Sequence, residues 1–132
     1  MKEYAIRLKK NDLLKESILK FCIDNNIKAG CVISSVGSLD KAVIRAAKGE
    51  TIKEFNMPLE ILSLNGTVSV ERIHLHITLS DENYQVYGGH LMNGSIVNTT
   101  AEIVIIDLED YEFKKEFDKS TNYNELLIKK LK

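Results

Sequence analysis

A change of hydrophobic period at Ala29 leaves this chain few folds to choose from. Before it, "NDLLKESILKFCIDNNIKAG" sets Leu14, Ile18, Phe21 and Cys22 at i, i+4, i+7 and i+8, which is one face of a helix. Asn11 or Asp12 is in place to cap its start, and "NNIKAG" to stop it. The preceding "YAIRLKK" alternates apolar and polar residues and reads as an opening strand. Beyond Ala29 the texture becomes β. "GCVISSVGSLDKAVIRAA", "FNMPLEILSLNGTVSV", "RIHLHITLS", "YQVYGGHLM" and "TAEIVIIDLEDYEF" are β-branched or alternating runs parted by Gly, Asn, Asp and Ser. A helix followed by five or more strands does not make βαβ repeats, so the order predicts an α+β domain with a large, mainly antiparallel or mixed sheet. In the closing "FDKSTNYNELLIKKLK", an Asn/Ser/Thr turn and a Leu/Ile-bearing stretch predict a short terminal helix with a lysine-rich, solvated end.

Length and charge narrow the function classes. Residues 1–132 fit a single domain, since a chain of this size buries roughly 65–70 % of its unfolded surface. Lys and Arg number 18 against 19 Asp and Glu, a net charge of −1. Autonomous nucleic-acid binding draws its affinity from phosphate neutralisation, so this balance argues against it. The start, "MKEYAIRLKKND", interrupts its apolar residues with charge and does not read as a signal peptide. No apolar run approaches the ~20 residues of a membrane helix, and the cytoplasm is the expected location. Cys22 and Cys31 lack C-x-x-C spacing and read as small buried hydrophobes.

The chain has three histidines, and all lie in "HLHITLSDENYQVYGGHL" (74–91). In a strand, His74 and His76 share one face, with Cα atoms roughly 6.5–7 Å apart, while Ile73, Leu75, Ile77 and Leu79 take the other. "DEN" is a turn signal and "YQVYGGHL" a returning strand. A loop centred on Glu82 would set His90 across from His74 and Gly88 across from His76, bringing three imidazoles together. That donor set suits Zn²⁺ and leaves a tetrahedral ion one open position. Spacing alone leaves a second reading open, a polar sheet face carrying unrelated histidines, and a one-residue slip in the loop would send His90 to the opposite face.

The blocks "EILSLNGTVS" (60–69), "HLHITLSDENYQVYGGHL" and "GSIVNTTAEIVI" (94–105), with the helix block and "GSLDKAVIRAA", resemble the signature of the PPC (plants and prokaryotes conserved) domain. The resemblance spans nearly the whole chain and matches the stand-alone prokaryotic type. It implies an α+β sandwich, a homotrimer, and zinc bound through the H-x-H pair and the histidine after the double glycine, here His74, His76 and His90. That fold is similar to acetolactate decarboxylase, which surrounds a three-histidine zinc with Arg and Glu side chains.

Two further residues are candidates for the site. Glu102 lies among apolar residues in "TTAEIVII", where a carboxylate is costly unless it is paired or functional, and is read as general base or as a partner of the metal ligands, with a structural ion pair or a subunit contact as the alternatives. Arg45 closes "AVIRAA" and is read either as half of an ion pair, with Glu60 among its candidate partners, or as a clamp for a ligand carboxylate. No phosphate-loop glycine pattern occurs, and Ser95 lacks the G-x-S-x-G context of a nucleophile elbow. Three functions compete: a trimeric zinc module that binds a small molecule or protein partner, a metal-dependent lyase or hydrolase on a small carbonyl or ester substrate, and a DNA-binding protein. The last is the usual family label, but the R-G-R-P core of an AT-hook is missing here.

Overall fold

The computed structural model describes residues 1–131. Its elements run β1 (Lys2–Lys9), α1 (Leu14–Asp24), β2 (Gly30–Arg45), β3 (Ile52–Val68), β4 (Ile73–Ser80), β5 (Val86–Leu91), β6 (Ile96–Asp107), β7 (Tyr111–Asp118) and β8 (Tyr123–Lys130). Six strands form one sheet in the order β1-β6-β2-β3-β4-β5, and all the pairings are antiparallel. The α+β class and the dominance of antiparallel pairing agree with the pattern in the sequence.

β2 gives the sheet its shape. Its register against β6 shifts at Val32/Ser34, Gly37/Ser38 and Leu39/Lys41, and such bulges bend and twist a strand. The bent strand turns its far end back onto β5, pairing Ile44 with Leu91 and Arg45 with His90. Strands β2, β3, β4 and β5 thus close on themselves, and the contact needs glycine. A Cβ on Gly89 would run into Ile44 Cγ2 and stand 2.8 Å from the Arg45 carbonyl oxygen.

The core fills one side of this curled sheet. Leu75, Ile77 and Leu79 of β4 are buried with Leu39, Leu59, Leu91, Ile103 and Ile105, and α1 contributes Leu14, Ile18 and Cys22. Phe21 sits at the edge of that face, edge-on to Tyr4 with ring centroids 5.3 Å apart. Burial pushes the Cys22 thiol up to about 12, so this residue is an inert hydrophobe, whereas Cys31 is half-buried.

Two local expectations need correction. Neither Asn11 nor Asp12 caps α1: the N-cap is Leu13, and Asp12 Oδ2 instead accepts the Lys9 N–H at 2.8 Å. The helix start is held by the sheet, through Leu14 N–H to Ser95 O at 2.9 Å. Nor does the chain end in a helix. β7 and β8 form a separate two-stranded sheet, and the expected helix falls on β8, apart from Lys132, which lies outside the described residues. The turn lies where the Asn/Ser/Thr cluster predicts it: Asp118 Oδ1 accepts the Ser120 N–H at 2.8 Å and the Asp118 carbonyl the Asn122 N–H at 2.8 Å. That tight reversal faces the Leu/Ile stretch with β7 as a ready partner, and ladder bonds with β7 replace a helix's own. Phe113, buried, anchors the hairpin, its N–H bonding to Lys28 O at 2.9 Å.

Candidate metal centre

Strand alternation does what the H-x-H spacing predicts. Leu75 and Ile77 go inward while His74 and His76 look out from the opposite face of β4. β5 returns alongside, but its register differs from expectation: His90 pairs with His76 rather than His74, and Gly88 with Thr78 rather than His76. The loop is the cause. Asp81 Oδ1 accepts the N–H groups of Asn83 at 2.8 Å and Gln85 at 3.0 Å, and Tyr84 takes a left-handed φ of 65°, so the reversal centres on Asn83 instead of Glu82. Moving the centre by one residue moves each partner by two. An even shift preserves the face, and the three rings still converge.

Ring centroids lie 5.3 Å apart for His74 and His76, 5.0 Å for His74 and His90, and 5.6 Å for His76 and His90. One nitrogen from each falls within 4.8 Å of the others. Ligands at about 2.0–2.1 Å from a tetrahedral ion stand about 3.4 Å apart, so small rotations of the rings would close them on a metal. Gly66 helps to set His74. At φ 145° it lets β3 pass close to β4, where a Cβ would collide with the His74 carbonyl oxygen.

The electrostatics favour the ligating form. Burial pushes His90 down to about 4, and the positive charges of Arg45 and Lys15 and the neighbouring rings act in the same direction. His74 is lowered too, first by burial and then by Arg72 and His76, with Glu125 opposing. Both imidazoles are therefore neutral at neutral pH, the state in which a ring nitrogen can bind a metal.

The rings open on a cleft of about 560 Å³ walled by the Arg45–Gly49 segment, Gly88, Gly89 and Tyr123. Arg45, opposite His90 in the ladder, lies over the Tyr123 ring with 5.7 Å from Cζ to the centroid. Its Nε is buried and has no hydrogen-bond partner among the described residues. The expected ion pair with a carboxylate is not formed: among the described residues Arg45 has no salt bridge, and Glu60 lies opposite Ser38 and Ser80, lining a different hollow. Glu102 is exposed on β6, opposite Arg7 and Val36, and does not line the cleft within one chain. Tyr123 is not among the residues the sequence singles out, since its segment predicts a turn and a helix and the structure makes it the start of β8. The run YNELLIKK carries no strict alternation that would have marked it as a strand, and Glu125 reaches Arg72 at 3.9 Å.

A closed antiparallel sheet carrying three outward histidines beside an arginine defines a small β module with a side-chain cluster that could hold a metal ion. The chain belongs to the Plants and Prokaryotes Conserved (PCC) domain family, whose model matches residues 1–109. A hypothetical protein from Salmonella cholerae-suis is 32 % identical with a TM-score of 0.94, the match covering 98 % of this chain and 94 % of that one. A metal-containing protein from Archaeoglobus fulgidus is also 32 % identical, with a TM-score of 0.83 and coverage of 96 % and 94 %. The bifunctional protein GlmU of a Synechococcus strain is 38 % identical over 128 residues, 97 % of this chain. This chain spans only about 20 % of that relative's length.

Proposed function

We propose that this protein holds a zinc ion through His74, His76 and His90 and uses the remaining coordination position, with Arg45 beside it, to bind a small oxygen-bearing ligand. The observation that carries this reading is the convergence of three imidazole nitrogens to within 4.8 Å on one sheet face. Neutral nitrogen donors suit zinc among common cellular metals. The metal-containing Archaeoglobus relative, alike over almost its whole length, supports a metal here. When bound, zinc would supply a Lewis acid that polarises a ligand oxygen. Arg45 would bring a positive charge and the unpartnered Nε–H to the same cleft, which fits a carboxylate or another anionic oxygen group.

We further propose assembly as a homotrimer in the cytoplasm. Val36 and Leu62 are 60 % and 53 % exposed on the outer sheet face that also carries Glu102, and a neighbouring subunit would cover them. Metal-dependent lyase or hydrolase chemistry on a small carbonyl or ester substrate is the second reading, favoured by the cleft and its arginine. It requires a proton-transfer group, and Glu102 would have to reach the cleft from a neighbouring subunit. Nucleic-acid binding has no part in this proposal, given 18 basic residues against 19 acidic ones.

Elemental analysis of the purified protein beside His74→Ala and His90→Ala tests the reading. Near one zinc per chain, lost in both variants, is the expected result; metal-free protein prepared without chelators would overturn it.

A further inference from the structure

A second cavity, of about 450 Å³, opens between α1 and the start of β4, with Lys115 of β7 at its edge. Its apolar lining is Leu19, Ile23 and Ile73, and Ile23 is 54 % exposed, so part of this apolar floor is open to solvent. Four cations, Lys15, Lys20, Arg72 and Lys115, stand around it against two acids, Glu16 and Glu71. Glu71 Oε2 meets Lys114 Nζ at 2.9 Å. Glu16 Oε2 accepts the Gly94 N–H at 2.9 Å, while its Oε1 is buried without a hydrogen-bond partner among the described residues. Among the cations, Lys20 is held by Asp24 at 2.6 Å and Arg72 stands 3.9 Å from Glu125. Lys15 and Lys115 form no ion pair with another described residue.

Lys15 is the informative one. It is half-buried, and its pKa is lowered by that burial and by the nearby Arg45 and Arg72 charges, against the pull of Glu16. A half-buried ammonium with two cationic neighbours, whose nearby acid Glu16 forms no ion pair with it, is stabilised by an added anion. An apolar floor beneath such a rim selects for more than charge.

We propose that this groove binds a small amphipathic organic anion, a medium-chain alkyl or aryl carboxylate, with its tail on Leu19, Ile23 and Ile73 and its head among Lys15, Arg72 and Lys115. The volume lies within the range of small-molecule sites, and the site is separate from the histidine cleft.

Calorimetric titration of the metal-stripped full chain with octanoate tests this. One saturable site per chain is expected, with octanol binding at least roughly tenfold more weakly, and Lys15→Gln and Lys115→Gln each weakening octanoate by roughly tenfold. Ile23→Glu, at an exposed position and so safe for folding, is expected to abolish binding, while His90→Ala leaves it unchanged. Equal affinity for octanol, equal affinity for inorganic phosphate, unchanged binding in the lysine variants, or loss of binding in His90→Ala would each overturn the assignment. So would concentration-dependent self-association that Ile23→Glu abolishes without any octanoate binding, since a second copy would then fill the groove.

Discussion

Each histidine of the centre owes its behaviour to what surrounds it. An imidazole in an unfolded chain titrates near 6.5, whereas His90 in the fold lies at about 4. Between those values the unfolded chain binds more protons than the folded one, so stability rises with pH across that window. The contribution is complete above about 6.5 and is lost as pH falls toward 4. Metal-free protein is therefore expected to show a lower urea midpoint at pH 5 than at pH 7.5, and His90→Gln to shrink that difference; chemical denaturation at the two pH values checks it. Arg45 acts on ligand rather than metal in our reading. Arg45→Gln is expected to leave zinc content unchanged and to weaken acetate or phosphate binding to the zinc-loaded protein by roughly 10- to 100-fold, about 1.5–3 kcal/mol for a charge-assisted hydrogen bond. Elemental analysis and anion titration separate the two effects.

Strands and their junctions hold these residues in place. Gly66 and Gly89 are the points nearest the site where neighbouring backbones come too close for a side chain, one behind His74 and the other beside Arg45. Gly66→Ala forces a positive φ on a residue with a Cβ and should cost about 1–3 kcal/mol. Because the collision is with the His74 carbonyl, its zinc affinity should fall as well, measurable by chelator competition. The C-terminal hairpin is attached more lightly. Phe113 is its one buried hydrophobic anchor among the described residues, and Phe113→Ala is expected to raise hydrogen exchange across residues 111–130 while the six-stranded sheet keeps its protection. Tyr123 would then leave Arg45, opening the cleft on that side.

At the scale of the whole molecule, one curled sheet separates two environments. Its inner side and α1 form the apolar core, and its outer side carries the histidines beside a hydrophilic cleft. Leu75 sits between the two histidines in sequence and points the other way, fully buried. Leu75→Ala is expected to cost about 2–5 kcal/mol, since the cavity it leaves sits in packed β-sheet. Denaturant unfolding would measure that loss, and native-state zinc content should persist, because the ring-bearing face is set by strand pairing rather than by core volume.

Much of this was legible in residue order. Period-2 alternation alone put His74 and His76 on one face and Leu75 with Ile77 in the core, and the 3.6-residue spacing of Leu14, Ile18 and Cys22 located the helix and its buried side. These patterns are local, set by where successive side chains point along a strand or helix. What tertiary structure alone decided depends on distant segments meeting. The loop capped by Asp81 chose His76 as the partner of His90, the bulges of β2 carried Arg45 to that pair, and the β7–β8 hairpin brought Tyr123 over it. The same distance effects left Arg45 without a carboxylate partner among the described residues and kept Glu102 out of the cleft of its own chain. Register and closure are properties of pairs of strands, so no single run of residues encodes them.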